Sequence, residues 1–273
     1  MTKLQTLWDI NFAELYRNHY QLAAREPKTA QDWDRKAEKM QQSEYDLHNE
    51  YVSAFASRME LTEEDTLLDV GCGGGAISLT VAAQIKQVYA LDYSEGMLSV
   101  LQQRAKALGF YNVQALCKSW EDNWDDVPEC DICVSSRSSM VADLDQAIDK
   151  LNAKAKKAVY MTMIVEKDFI ARDILQYIGR DSVGFPNYMY ALNLLHQKGY
   201  YASVDFITAE CGLVQSEKMD EQSFIQSVQW SIGELSEQEI AKLKDYYTKH
   251  PNLTSARSDF KIWAFVSWKK AKK

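Results

Sequence analysis

The sequence predicts an α/β fold of three layers, a largely parallel sheet with helices on both faces. Three observations point there. Thr66–Val70 is a short apolar run with β-branched ends, the composition of a strand buried on both sides. A cluster of glycines follows it, and residues 76–85 then show the apolar spacing of a helix packed on a sheet. Beyond that unit, strand-like and helix-like runs alternate to the end of the chain, the pattern of a parallel sheet with crossover helices.

The glycine cluster explains what the first strand and helix are for. Gly71, Gly73, Gly74 and Gly75 weaken a strand but can hold positive φ and let a ligand lie against the backbone. The free amides of the helix start then face that ligand. No Gly-Lys-Ser/Thr follows, so this is not a phosphate-cradling P-loop. Gly71, Gly73 and Ala76 fit a loose dinucleotide fingerprint. Residues 87–91 read as the next strand, with Asp92 at its end, 21 residues beyond Gly71. A carboxylate at that distance can accept from both hydroxyls of a ribose. Ser94 can cap a helix running to about residue 108. Tyr93 and Met97 either offer an apolar wall to an adenine or are ordinary core residues.

Asp69, two positions before the first glycine, completes the spacing Asp69, Gly71, Gly73, Gly75, which resembles the signature of class I S-adenosylmethionine-dependent methyltransferases. Residues 91–98, Leu-Asp-Tyr-Ser-Glu-Gly-Met-Leu, are similar to the same segment in quinone-biosynthesis and other small-molecule methyltransferases. The resemblance implies a Rossmann-like, seven-stranded mixed sheet of order 3-2-1-4-5-7-6, its last strand antiparallel. It implies S-adenosyl-L-methionine as cofactor and S-adenosyl-L-homocysteine as product. The cofactor side would comprise Asp69, Gly71, Cys72, Gly73, Gly75, Asp92, Tyr93, Met97, Ser119, Trp120 and Ser135. Asp69 and the turn backbone would receive the methionine end. Ser119 and Trp120 stand where the family places a polar group against the adenine amine and an apolar one against its ring. Ser119 replaces the more usual acid, so that Glu121 or a backbone group would have to supply the polar contact. The implied activity is methyl transfer to a small-molecule acceptor. The alternatives are a non-catalytic cofactor-binding module and a nicotinamide-dependent oxidoreductase, the latter disfavoured by Asp69.

In chain order, residues 1–60 form a helical cap ahead of the catalytic domain at 61–273. Trp8, Phe12, Leu15, Tyr16 and His19 fall on helical spacing, and a second helical run over 32–59 carries Trp33, Ala37, Met40, Tyr45, Leu47, Tyr51, Phe55 and Met59. The Trp33, Asp34, Ala37 run resembles the entry segment of many such enzymes. These helices either fold over the cofactor or pack on the sheet edge. Residues 113–117 are a third strand and 131–134 a fourth, which ends in Ser135, Ser136, Arg137 and Ser138. Here, at the switch in strand order, the reacting methyl would sit. No Asn/Asp-Pro-Pro-aromatic run occurs at this point, which disfavours amino-methylation of adenine, cytosine or glutamine. Arg137 could clamp an acceptor carboxylate in bidentate fashion, or pair structurally with Asp131, Asp143 or a helix end. Tyr16, Tyr20 and Tyr188 are further candidates for the acceptor side, and no general base stands out. A helix over 141–155, strands at 158–164 and 200–207, and a helix at 188–198 follow. Helices at 221–232 and 236–249 precede a closing strand at 260–268. Segments 165–190 and 209–258 are the additions most free to shape an acceptor pocket.

Composition narrows the partners. Thirty-one basic residues against 39 acidic ones leave a net charge of −8, which disfavours a surface built to hold nucleic acid. No apolar run approaches the ~18 residues of a membrane span, and the first residues lack the apolar core of a secretion signal. A cytoplasmic enzyme is expected. Five cysteines do not suggest a disulfide framework. Cys130 and Cys133 sit in a strand, where residues three apart should face opposite ways, and no second pair completes a zinc site. The four scattered histidines add no metal pattern, and oligomeric state is not indicated.

Overall fold

The computed structural model describes residues 6–23, 27–41, 49–180, 183–209, 219–256 and 261–270. Seven strands form one sheet: β1 (Thr66–Val70), β2 (Gln87–Asp92), β3 (Val113–Cys117), β4 (Cys130–Ser135), β5 (Ala155–Ile164), β6 (Ser203–Ala209) and β7 (Lys261–Lys269). Their order is 3-2-1-4-5-7-6, and β7 runs antiparallel to both its neighbours. The apolar run of the first strand puts it at the centre, where Leu67, Leu68 and Val70 are inaccessible to solvent. Asp69 pairs with Ala90 on one side and Val134 on the other. That register brings the carboxyl ends of β1, β2 and β4 together where the strand order switches.

Ten helices are seen among the described residues: α1 (Phe12–Leu22), α2 (Ala30–Gln41), α3 (Glu50–Ala56), α4 (Ala76–Val81), α5 (Glu95–Ala107), α6 (Leu144–Lys154), α7 (Arg172–Ile178), α8 (Tyr188–Gln197), α9 (Glu221–Ile232) and α10 (Glu237–Lys249). Alternate residues of each strand feed two core layers. Leu67, Ile132 and Val134 pack with Phe55, Leu79 and Leu101 on one face. Leu68, Val70 and Met161 pack with Tyr16, Leu144 and Leu194 on the other. Each such buried side chain contributes about 1.5–3 kcal/mol relative to exposure.

Several expected boundaries shift. The run over 32–59 is two helices, because Asn49 accepts from Val52 N–H and starts α3 afresh. Residues 42–48, with Tyr45 and Leu47, lie outside the described residues. The helix expected from 141 begins at Leu144, capped by Asp143, and leads straight into β5. The last sheet strand before the C-terminal helices begins at Ser203, since Tyr201 stands out in solvent. The two additions contain α7, α9 and α10, which share a third core of Ile174, Leu175, Ile178, Phe224, Val228, Leu243 and Tyr246. Arg180 joins them by a fork to Glu239 and bonds to the carbonyls of Ile232 and Glu234.

The expectation that Cys130 and Cys133 face opposite ways is corrected. A register shift between Cys130 and Ile132 breaks the alternation, so both thiols enter the same core layer. They are free, and burial raises both, Cys130 to about 11. No helix among the described residues is long and apolar enough to cross a membrane.

Candidate functional site

The glycine turn is held from three sides. Gly71 N–H and Cys72 N–H both donate to the Leu91 carbonyl, at 2.8 and 3.1 Å, fastening the turn to β2. Gly71 has φ 70°, and a Cβ there would stand 2.3 Å from Ser138 Cβ. Gly75, at the start of α4 with φ 90°, would place a Cβ 2.3 Å from Leu101. Only glycine satisfies both demands. By contrast a Cβ on Gly73 meets nothing within 4 Å, so the turn is open on that side.

Asp92 closes the turn from the end of β2. One carboxylate oxygen accepts from Gly73 N–H at 2.9 Å and the other from Ser94 N–H at 3.0 Å. Each oxygen keeps acceptor capacity, as a diol requires. Burial raises its carboxyl above the usual range. Asp69 is more deeply placed, 1% exposed, and accepts from Ser78 N–H at 3.2 Å and Ser78 Oγ–H at 2.6 Å. It therefore ties the end of β1 to α4 behind the turn. Burial pushes it up to about 6.

Below the turn lies a run of hydroxyls. Ser138 Oγ–H donates to the Val70 carbonyl at 2.7 Å, and the buried Ser135 shares hydrogen bonds with Ser138 and Ser139. Trp120 stacks on Trp124 and donates its indole N–H to the Ser138 carbonyl at 3.1 Å, bridging the exits of β3 and β4. The Ser119 hydroxyl accepts from Glu121 N–H and Asp122 N–H, closing its own local turn.

Helix α2 covers the other flank. Asp34 accepts from Ser94 Oγ–H at 2.6 Å and from Gly96 N–H at 2.9 Å, adding a second cap to α5 beyond Ser94 itself. Arg104 of α5 reaches the carbonyls of Gly74 and Met40. Met97 is buried between the two helices with Ala37 and Val100, and Tyr93 O–H donates to the Lys28 carbonyl at 2.8 Å. Trp33 meets Trp230 of α9 edge-on at 5.5 Å, with Lys28 Nζ 4.7 Å over the Trp230 ring. Sequence reasoning missed Asp34 and Arg104 as site groups. The Trp33, Asp34, Ala37 run was a signal for the first, and an ordinary helix-surface arginine gives none for the second.

Arg137 stands just past β4 with φ 57°, the one non-glycine residue in the left-handed region among those described. Its N–H donates to Thr162 Oγ1 at 3.0 Å, and its guanidinium lies 4.2 Å over the ring of Tyr51. No described residue accepts from the guanidinium. The structural pairings considered for it are not formed: Asp131 is held by Lys157 and Thr66, and Asp143 by Arg17 and the start of α6. Tyr51 had no motif to mark it. The other acceptor-side candidates divide. Tyr16 is 1% exposed and donates to the Val141 carbonyl at 2.7 Å, with Tyr20 stacked on it. His19 bridges Tyr190 O–H and the Gly184 carbonyl nearby. Tyr188 sits apart, edge-on to Phe206 of β6.

Together an open glycine turn, a carboxylate with acceptor capacity on both oxygens and a guanidinium with no acceptor among the described residues suit a nucleoside-type ligand beside an anion. No metal-holding cluster of His, Cys, Asp and Glu occurs among the described residues. Comparison with known proteins agrees with this geometry. Residues 67–158 match a family described as "Methyltransferase domain". An uncharacterised protein of Haemophilus influenzae is 40% identical over 264 residues, covering 96% of this chain and 98% of that one. A probable cobalt-precorrin-6B C(15)-methyltransferase (decarboxylating) of Methanocaldococcus jannaschii is 34% identical over 65 residues, 24% of this chain and 36% of that one. In fold, the chain is similar to coclaurine N-methyltransferase bound to N-methylheliamine and SAH, with a TM-score of 0.53, 13% identity and coverage of 97% and 96%.

Proposed function

We propose that this chain, whose residues 67–158 are a class I S-adenosylmethionine-dependent methyltransferase domain, acts on a small molecule bearing a carboxylate. When bound, the cofactor supplies a methyl group already activated on a sulfonium. Asp92 would accept from both ribose hydroxyls. The turn backbone from Gly71 to Gly75 would lie against the methionine end, its shape set by the bonds that the N–H groups of Gly71, Cys72, Gly73 and Gly75 make to Leu91, Asp92 and Cys72, with Asp69 holding the turn in place through Ser78. Tyr93, Met97, Ser119 and Trp120 would frame the adenine side, and Ser135 would underlie the turn. The open side of Gly73 gives the ligand room to lie against the backbone.

The observation that carries the small-acceptor reading is the cover. Two separate parts of the chain, α2 and the helical addition, meet at Trp33 and Trp230. Closed over the turn, these two parts would suit an acceptor that can be enclosed rather than a strand of RNA or a protein surface. Arg137, whose guanidinium has no acceptor among the described residues, would match the acceptor's carboxylate.

The residues have modest chemistry to do. Because the methyl group would leave a sulfonium, positive charge would be dissipated rather than created, and these residues need form no oxyanion hole. Holding the acceptor in line supplies on the order of 7–11 kcal/mol. Walls such as Trp120 and Tyr51 keep water from competing. A base is needed only where the acceptor must lose a proton.

The test is transfer of labelled methyl from the cofactor into a cell extract separated by size and charge. Label is expected in low-mass species retained on an anion exchanger; label in RNA or protein would overturn the reading. The Asp92→Ala variant should bind S-adenosylhomocysteine about 100-fold or more weaker in calorimetry, since two charge-assisted bonds are each worth about 1.5–3 kcal/mol. Undiminished binding would put the ribose elsewhere.

A further inference from the structure

We infer that Tyr51 is a positioning residue that presents Arg137 to the carboxylate of the acceptor, so that Tyr51, Ser136, Thr162 and Arg137 together form an anion subsite. This inference rests on the methyltransferase reading above and deepens its acceptor side.

A lone surface arginine is ordinarily mobile and carries no such message. Arg137 is held at both ends. Its backbone is fixed in the left-handed region, which costs a non-glycine residue on the order of 1–3 kcal/mol and persists only where the surroundings enforce it. What enforces it is Thr162, whose Oγ1 accepts from Arg137 N–H at 3.0 Å. The same Thr162 hydroxyl is 2.7 Å from Tyr51 O–H, and Tyr51 O–H is 2.7 Å from Ser136 Oγ. Because Thr162 Oγ1 already accepts from the Arg137 N–H, its own O–H can donate to the Tyr51 phenol, which in turn donates to Ser136 Oγ. The phenol is therefore pinned from two sides, and its ring, 5% exposed, cannot move. On that ring the guanidinium lies at 4.2 Å. Stacking on an aromatic face holds the planar fork without using any of its N–H donors.

One threonine thus fixes the main chain of Arg137 and the platform for its side chain. The result is a charged fork, oriented in advance, with no acceptor for its donors among the described residues. Bidentate recognition of a carboxylate is the chemistry that completes such a group. Its place also fits. Arg137 is bonded directly to Ser138, whose side chain packs against Gly71 and bonds to Val70 at the glycine turn. Trp263 lies edge-on to Tyr51 at 6.2 Å and Phe169 lies 6.3 Å from Trp263, so an aromatic or apolar body has rings to pack on; Glu166 and Asp168 line the cavity beside Phe169 and Trp263, which leaves Arg137 as the place for the carboxylate.

Benzoate and its neutral isostere benzamide are the probes, titrated by nuclear magnetic resonance into enzyme saturated with S-adenosylhomocysteine. Wild type should prefer benzoate by about tenfold or more, the value of a charge-assisted fork. Arg137→Gln should abolish the preference, and Arg137→Lys should fail to restore it because an ammonium offers no fork. Tyr51→Leu should lose about tenfold in benzoate affinity, whereas Tyr51→Phe, which keeps the ring, should stay within about threefold. Rescue by the aromatic variant separates positioning from mere packing. Thr162→Val serves as a second handle on the network if Tyr51→Leu does not fold, and should weaken benzoate about threefold or more. All variants should bind S-adenosylhomocysteine as wild type does. Loss of benzoate preference in none of them, or no preference in wild type, overturns the subsite while leaving the cofactor reading intact. Failure of wild type to bind S-adenosylhomocysteine would overturn the methyltransferase reading itself.

Discussion

A carboxylate sealed at the end of the central strand is harder to ionise than one in water, and Asp69 carries that burden at the heart of the turn. Burial raises it from 3.8 to about 6, against the opposing pull of two bonds from Ser78. Folding therefore favours its protonated form. Its contribution to stability is fully present below about pH 3.8 and is lost as pH rises through about 6. In Asp69→Asn the amide oxygen can still accept from Ser78, but nothing titrates. The stability of this variant relative to wild type should therefore rise between pH 4 and pH 7.5 by about 3 kcal/mol, two pKa units at 1.36 kcal/mol each. Urea denaturation of the cofactor-free proteins at the two pH values measures it, and a flat difference would show that Asp69 ionises normally. Legibility at this scale divides by sequence distance. The backbone demands at Gly71 and Gly75 and the position of Asp92 at the end of β2 could be read because they depend on spacing along one strand-turn-helix-strand unit. Tyr51 and Thr162 could not, because their bond joins residues 111 apart; Asp34 stood in a recognisable run, but its partner Ser94 is 60 residues away.

At the scale of elements, α2 caps its neighbour α5 through one side chain. Asp34 satisfies Gly96 N–H, one of the first-turn amides of α5 that lack a partner within their own helix, and it also engages the Ser94 hydroxyl. Asp34→Ala leaves both donors without that acceptor and should cost about 1–3 kcal/mol. The loss should be local: faster amide exchange in the first turn of α5 and easier proteolytic cleavage near α2, with β1 and β4 protected as before. Uniform loss of protection across the sheet would instead make α2 part of the central fold. The strands were legible because their apolar runs are long relative to a strand and end at turn residues; the sheet order and the antiparallel β7 followed from the resemblance and stand. The elements misread are those whose signal is weak or local. The break before α3 rests on one capping asparagine, and α7 is only 7 residues long, too short for periodicity to declare itself.

For the molecule as a whole, the decisive feature is that two cores are joined by a clasp. The sheet and its flanking helices bury one body of apolar side chains, and α7, α9 and α10 bury another. Trp230 extends from the second to Trp33 on the helix that caps α5, with Lys28 and Lys36 over its ring. An aromatic pair is worth about 0.5–1.5 kcal/mol beyond its buried area, and each cation above a ring adds about 0.5–1 kcal/mol. Removing Trp230 should therefore shift an opening equilibrium by roughly 1.5–3.5 kcal/mol, about 10- to 400-fold in population. If the clasp is a cover over the cofactor, Trp230→Ala should release S-adenosylhomocysteine about tenfold faster in stopped-flow, by weakening closure alone. The urea midpoint of the sheet should move little, because Trp230 belongs to neither of the sheet's core layers. An unchanged release rate would mean that α9 merely touches α2. A release rate that rises only in step with global unfolding would make the pair a staple of the fold. Faster release with the sheet intact is the outcome that identifies the meeting of Trp33 and Trp230 as the door through which the cofactor leaves.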